Sequence, residues 1–470
     1  MTVSAGRSAH PALADAEPAV FWLDDPAAPE PVPALAGPIE ADLLVVGAGY
    51  SGLWTALRAV ERDPSRSVVV LETRDCGHEA SGRNGGFVSA SLTHGFGNGL
   101  ARWPGELATL DRLGDDNLRD ISDTIQRRGI DCDWEQTGEL SVATAPHQLA
   151  ELEELAVAMG RAGHDVELLD AAAVRQRLDS PTYVGGLADP RGTALVHPAR
   201  LAWGLRRACL DLGVRIHEHS RVTRLDQDGA GLVAHTSDGS VRAGRVALAT
   251  NAFPPLLRRL RLMTVPVYDY VLMSEPLSPE QLSAVGWAGR EGVGDSANQF
   301  HYYRLTRDNR ILWGGYDAVY HYGSRIERDL EQSDRTHGLL ARHFFETFPQ
   351  LEGLRFSHRW GGVIDTCTRF AAFFGTAYAG RAAYALGYTG LGVAATRFGA
   401  DVMLDLLDGE PTQRTELEMV RRRPLPFPPE PARYAGIQLT RWSLNRADRR
   451  GGRRNPWLRA LDAAGLGFDS

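Results

Sequence analysis

Gly47-Ala48-Gly49-Tyr50-Ser51-Gly52 follows the apolar run 43–46, and Glu72 closes a second apolar run, 68–71, 20 residues after Gly52. A strand, a glycine-rich turn, a helix, a second strand and a terminal carboxylate together describe a dinucleotide-binding βαβ unit. Each glycine answers a separate demand. Gly47 permits the tight turn, Gly49 lets the backbone approach a pyrophosphate, and Gly52 lets the helix pack closely on the strand. The helix start offers free N–H groups and partial positive charge to phosphates, and Glu72 can accept hydrogen bonds from both hydroxyls of a ribose. The plainer alternative is a strand-turn-helix corner with Glu72 merely solvated. The acid at this spacing, with a strand on each side, favours the dinucleotide. The motif alone fits a nicotinamide or a flavin dinucleotide.

A chain of 470 residues is long enough for two or three domains, and 43% hydrophobic with 23% charged residues is ordinary for a globular enzyme. The net charge of -8 argues against nucleic acid or an acidic membrane surface as partner. No apolar run reaches the length of a membrane span. The Ala/Pro-rich start has no signal-peptide core, so a cytoplasmic location is expected. Cys76, Cys132, Cys209 and Cys367 lie far apart, with no zinc spacing; reduced thiols and no metal site are expected. All 51 basic residues are arginine. The absence of lysine excludes a Schiff-base lysine, hence pyridoxal-phosphate chemistry, and a Walker-type phosphate-binding lysine.

Prolines at 26, 29, 31, 33 and 38 make residues 1–39 an arm, with Phe21-Trp22-Leu23 as its apolar anchor. Residues 78–99, rich in Gly, Ser and Asn, read as loop. Helical spacing covers 107–129, 148–161, 198–212 and 337–348, and strands are expected at 140–144, 214–217, 241–250, 265–273, 300–305 and 311–313. A short strand, 384–386, leads into Gly387-Tyr388-Thr389-Gly390-Leu391-Gly392-Val393 and a helix to 407. Residues 411–470 form an Arg- and Pro-rich extension. Its arginines, from Arg441 to Arg459, suit either an anion- or partner-binding patch or a packed, solvated tail.

Five stretches carry a family resemblance: the βαβ unit, Ala80-Ser81-Gly82-Arg83-Asn84-Gly85-Gly86, His197-Pro198-Ala199 leading to Val222, Ala249-Thr250-Asn251-Ala252, and Trp360-Gly361-Gly362 with the turn at 387–393. Across roughly residues 20 to 410 the chain resembles the FAD-dependent amine and amino-acid oxidases of the D-amino-acid-oxidase superfamily, in particular the γ-glutamylputrescine-oxidase-like branch. The resemblance implies an α/β fold, with a Rossmann-like FAD-binding domain interleaved with an α+β substrate domain carrying a mainly antiparallel sheet. The expected division is 40–105, 180–262 and 355–410 for FAD, and 106–179 and 263–354 for substrate. It implies that Gly47, Gly49, Tyr50, Ser51, Gly52 and Glu72 hold the ADP half of FAD, and that Ser81, Arg83, Asn84, Gly85 and Gly86 run past the pyrophosphate and flavin. Val222 should touch adenine, and Thr250 and Asn251 should end a strand beside the cofactor. Gly387, Thr389, Gly390, Leu391, Gly392 and Val393 should serve the N1/C2=O edge of the isoalloxazine. A glycine-rich helix start there supplies positive potential without bulk; simple helix–sheet packing is the other reading.

Two departures from the family matter. Sarcosine-type members attach FAD to a cysteine whose position here falls near Val363, with Cys367 out of register, so FAD is expected to be noncovalent. Those relatives also carry a lysine near the flavin that promotes reaction with oxygen; Trp313 stands in its place. The implied reaction is oxidation of the C–N bond of a small amine or amino acid, with O2 as expected acceptor. The alternatives are a dehydrogenase with another acceptor, a noncatalytic flavin-binding subunit, and a nicotinamide enzyme that would leave the second glycine turn unused. Arg83, His301 and Tyr303 are candidate catalytic residues. Tyr268, Tyr270, Arg304 and Trp360 are candidate substrate contacts, Arg304 as a bidentate carboxylate ligand. For each a packing or ion-pairing role stands as the alternative, and His94 is a further candidate near the flavin.

Overall fold

The computed structural model describes residues 10–229 and 231–467. The first nine residues of the expected arm and the last three of the extension lie outside the described residues. Two sheets dominate. In the first, the strands Phe373–Ala377, Ala382–Leu386, Gly239–Leu248, Gly37–Val46, Val68–Leu71 and Arg215–His217 lie in that order, and the hairpin of Arg224–Asp228 and Gly231–His235 adds to Gly239–Leu248. Its central pairs are parallel, with Val46 beside Leu71 on one flank and Leu248 on the other. The paired segments Leu43 to Val46 and Val68 to Leu71 show no apolar–polar alternation. They are buried throughout, as a sheet covered on both faces requires. One face packs on the motif helix Tyr50–Arg62 and the helices Pro198–Asp211 and Gly392–Asp408.

The second sheet has nine strands. Val265–Ser274 lies next to one edge, paired antiparallel along its length with Phe356–Thr366, and also with Val319–Tyr320 and Ile311–Gly315. His301–Leu305, Gly292–Asp295, Glu139–Ala143, Gly185–Asp189 and Glu167–Asp170 follow outward. The helix Asp334–Thr347 covers the far face, and Phe344, Trp313, Tyr303 and Phe348 fill the space between.

Two segments fall across the expected domain boundaries. Gly185–Asp189 and Phe356–Thr366 were expected with the cofactor sheet; both pair into the second sheet. Neither motif spacing nor composition marks which sheet a short strand joins, because that is fixed by non-local pairing. The region 78–99, expected as loop, holds the helical turn Ala80–Arg83, the strand Phe87–Ser89 and the start of the helix Phe96–Arg102. Trp22 of the arm is buried beside Trp360 and donates to the Asn84 carbonyl at 2.9 Å. Among the described residues no helix is long and apolar enough to cross a membrane.

Candidate functional site

The motif turn forms as its residues dictate. Gly47 sits at φ +104°, and a Cβ there would run into the Ala249 carbonyl oxygen. A Cβ at Gly52 would run into the Gly47 carbonyl oxygen, so strand and helix touch backbone to backbone. The helix that begins at Tyr50 has no side-chain cap. Its first turn is therefore open to an anion, apart from the Tyr50 N–H, which donates to Ser81 Oγ at 2.8 Å. Glu72 ends the neighbouring strand with one oxygen accepting from the Ala48 N–H at 2.7 Å and the other from the Arg74 N–H at 2.9 Å. Burial raises its pKa, and hydroxyl donors from a ribose would favour the ionised form. Val222, Thr250 and Asn251 line the same cleft. An uncapped helix start, glycines with no room for a Cβ and an acceptor at the strand end fit an ADP moiety.

The segment 80–86 is braced by its own side chains. Asn84 Nδ2 donates to the carbonyls of Ala80 and Ser81, and its Oδ1 accepts from the Gly86 N–H at 2.8 Å. Arg83 lines the cleft, but its guanidinium donates to the His78 and Gly361 carbonyls and pairs with Glu331 at 2.7 Å. Gly85 faces the ring of Tyr302 so closely that a Cβ would overlap it. Gly86, at φ +79°, is backed by Arg304 and the Val196 carbonyl and does not itself line the cleft.

At the opposite end, Asp365 accepts the Gly387 N–H at 2.5 Å, and Thr389, at φ +51°, folds its hydroxyl onto the Gly387 carbonyl. Burial pushes the Asp365 carboxyl up to about 7. Tyr388 to Val393 line the cleft, and the helix Gly392–Asp408 starts without a side-chain cap. Gly387 lies beneath the turn against Phe373 and Cys367. Cys367 is buried behind that turn, whereas Val363 borders the cleft. His94 borders it too, packed near Phe370, and burial lowers its imidazole to about 4.

The substrate candidates need correction. Tyr268 and Tyr270 point away from the cleft into the core, donating to the Glu327 and Leu330 carbonyls. Tyr303 is buried against Trp313, its hydroxyl 2.6 Å from that of Tyr183. His301 is sandwiched between Trp313 and Tyr316, with Nδ1 2.7 Å from Asp295 and Nε2 3.0 Å from His343. Arg304 is fully buried behind Gly86, donating to the Val196 carbonyl at 2.7 Å and lying over Trp22. Trp360 is buried and donates to the Arg83 carbonyl at 2.9 Å. Trp313 is likewise core. The two-residue period of the strands holds; the phase differs. The large rings fill the hydrophobic face, and the cleft receives Val267, Asp269 and Val271 of one strand and Tyr302 of another.

Asp269 and Tyr302 are the polar pair that the sequence reading missed. The Tyr302 hydroxyl donates to Asp269 Oδ2 at 2.5 Å. Burial pushes the Asp269 carboxyl up to about 6, against the lowering effect of that hydrogen bond. The available signal was a single acid within an otherwise apolar strand, Val265-Pro266-Val267-Tyr268-Asp269-Tyr270-Val271.

The C-terminal extension closes part of the cleft. The helix Ala432–Asp448 turns Arg433, Ile437, Thr440, Arg441 and Leu444 toward it, and residues 425–428 complete the edge. Arg441 pairs with Asp317, Asn445 donates to Gln299 at 2.6 Å, and Asp448 accepts from the N–H groups of Asn298 and Gln299. The whole cavity measures about 3670 Å³, several times the roughly 300–1,000 Å³ of a typical small-molecule pocket.

The sequence pattern of the family described as FAD dependent oxidoreductase, DAO, matches residues 42–406. Gamma-glutamylputrescine oxidoreductase of Escherichia coli is 35% identical over 391 residues, covering 79% of this chain and 84% of that protein. Sarcosine oxidase subunit beta of Rhodobacter capsulatus is 24% identical, over 69% of this chain and 74% of its own. Among solved structures, glycine oxidase from Geobacillus kaustophilus superposes with a TM-score of 0.68 at 19% identity, covering 82% of this chain and 99% of that one.

Proposed function

The chain belongs to the DAO family of FAD-dependent oxidoreductases, and from that premise we propose that it oxidises the C–N bond of a small amine or amino acid to an imine, which water hydrolyses. FAD, when bound, would supply the two-electron acceptor, with N5 as the site for hydride from the carbon beside the nitrogen. One observation carries the reading. A single cleft runs from the uncapped motif helix, past Asn84 and Gly85 and the turn at Thr389, onto a sheet face that bears Asp269 and Tyr302. Nucleotide-binding geometry and a polar substrate wall share one volume.

In this reading the backbone at Gly47, Gly49, Tyr50 and Ser51 would meet the pyrophosphate, Glu72 the ribose and Val222 the adenine. Gly52 and Gly86 would act through packing. Ser81, Arg83, Asn84, Gly85, Thr250 and Asn251 would flank the cofactor. The turn from Thr389 to Val393 would set N–H groups against the flavin's N1/C2=O edge, where a helix start stabilises negative charge. We read FAD as noncovalently held. Val363 has no nucleophile, and the Cys367 thiol is buried behind Gly387 with its pKa raised by burial.

Oxygen is the acceptor in this proposal. A dehydrogenase using another acceptor is the second reading, favoured by the absence of any lysine to raise positive potential beside the flavin. Anaerobic mixing of the yellow holoprotein with a panel of amines and amino acids tests the reaction: the substrate should bleach the flavin. Readmitting air should restore the colour within seconds for an oxidase, and slowly for a dehydrogenase. A flavin that no amine or amino acid bleaches would overturn the proposal.

A further inference from the structure

The strand Val265–Ser274 turns Asp269 toward the cleft between two tyrosines that face the core. Tyr302, which donates to its carboxylate, lies against Gly85. The pair therefore stands where the segment 80–86 meets the substrate sheet. Two arginines near this junction could have met a substrate carboxylate, and both are committed elsewhere. Arg304 is behind Gly86, donating to the carbonyls of Val196 and Leu305, and Arg83 is paired with Glu331. The wall presents a carboxylate at this point, with both guanidinium groups engaged.

We propose that Asp269, oriented by Tyr302, anchors the substrate's ammonium group and takes its proton, so that the preferred substrate is a primary or secondary alkylamine with no carboxylate on the reacting carbon. The choice of substrate rests on the amine-oxidation reading; the cation site does not. The proton balance is simple. R–CH2–NH3+ enters opposite the Asp269 carboxylate. One N–H proton passes to a carboxylate oxygen, and the bonding pair stays on nitrogen as the lone pair that loss of hydride from the neighbouring carbon requires. A cation and an anion become two neutral groups, an exchange that a desolvated site favours. The Asp269 carboxylate accepts from the Tyr302 hydroxyl and from the N–H groups of Tyr270 and Gly315, while His301, on the core side of the strand that bears Tyr302, acts on it only through its charge. Burial lifts its carboxyl to about 6, making it a better base while leaving it ionised at pH 8. An α-amino acid would bring its own carboxylate within about 5 Å of Asp269, a repulsion that at an effective dielectric of about 20 costs on the order of 100-fold in binding.

The test uses the FAD-loaded protein at pH 8, as wild type, Asp269→Asn and Tyr302→Phe, each checked for retained flavin and a cooperative melt. n-Butylammonium chloride is titrated against the bound flavin's visible spectrum, with sodium butyrate as the anionic control. The expected result is a saturable shift in wild type, at least 30-fold weaker in Asp269→Asn, several-fold weaker in Tyr302→Phe, and no shift with butyrate. In anaerobic reduction, n-butylamine should outrun glycine by at least 100-fold in wild type, and Asp269→Asn should lose that margin. Equal affinity of wild type and Asp269→Asn for butylammonium would overturn the site, as would faster reduction by glycine. If butylammonium shifts the spectrum through Asp269 and no amine reduces the flavin, the oxidation reading fails and the cation site stands. Should Asp269→Asn lose flavin, Tyr302→Phe carries the comparison, and unaltered butylammonium affinity there overturns the orienting role.

Discussion

His337 shows how one hydrogen bond sets a protonation state. Its Nε2 lies 3.3 Å from the Trp360 carbonyl, which can only accept, so Nε2 carries the proton. Nδ1 is buried with no hydrogen-bond partner among the described residues. Burial accordingly holds the imidazole down at about 4. An unfolded histidine takes its proton near 6.5, the folded one near 4, so the unfolded chain binds more protons between those values. Stability should therefore fall as pH drops from about 6.5 to about 4, by up to roughly 3 kcal/mol from this residue. Denaturant melts across that window, compared between wild type and His337→Gln, would show a shallower acid slope in the variant; identical slopes would refute the assignment. Single residues also mark where sequence reading stops. The Gly47, Gly49 and Gly52 spacing was legible because the turn itself demands it: Gly47 sits at φ +104°, and Gly52 touches the Gly47 carbonyl five residues back. The placement of Tyr268, Tyr270 and Tyr303 was not, since alternation fixes which residues share a face but leaves open which face meets the cleft. Bulk decided it: aromatic rings contribute most when removed from water, and the core took them.

The tail helix Ala432–Asp448 illustrates the same limit one level up. Its arginines were visible in the sequence, but its cleft-facing stripe mixes Ile437 and Leu444 with Arg433, Gly436, Thr440 and Arg441, which dilutes the apolar signal. What seats it is polar and long-range: Arg441 on Asp317, Asn445 on Gln299, Asp448 on the N–H groups of 298 and 299. The charge-assisted contacts of Arg441 and Asp448 contribute roughly 1–3 kcal/mol each, and the neutral Asn445–Gln299 hydrogen bond about 1 kcal/mol. Replacing both Arg441 and Asn445 by alanine should leave FAD bound and the melting temperature within a few degrees. It should also raise iodide quenching of flavin fluorescence several-fold. Unchanged quenching would mean that the helix does not shield the cleft. By contrast, the motif helix and the helix Gly392–Asp408 were legible, because each starts at a glycine turn and carries a strong apolar run.

At the scale of the whole molecule, two sheets drawn from discontinuous segments meet at one large cavity, and the chain has no lysine with which to brace it. A dinucleotide held noncovalently across that cavity, as proposed, would bind only the folded state. Free FAD at about 100 times its dissociation constant should therefore add about 2.7 kcal/mol and raise the melting temperature by a few degrees. Acid precipitation should release the yellow colour to the supernatant; colour retained in the pellet would overturn noncovalent attachment. The strand Phe356–Thr366 joins both halves of this design. It pairs along its length with the strand of Asp269, holds the segment 80–86 through Trp360, and supports the Gly387 turn through Asp365. The proposed substrate wall and the proposed flavin turn are thus both buttressed by one strand of eleven residues. On the proposed assignment, heritable variation in one trait would drag the other with it. A lineage selected for a new amine by changes along this strand would carry an altered flavin spectrum as a by-product, and its adaptive routes would be narrower than the size of the cavity suggests.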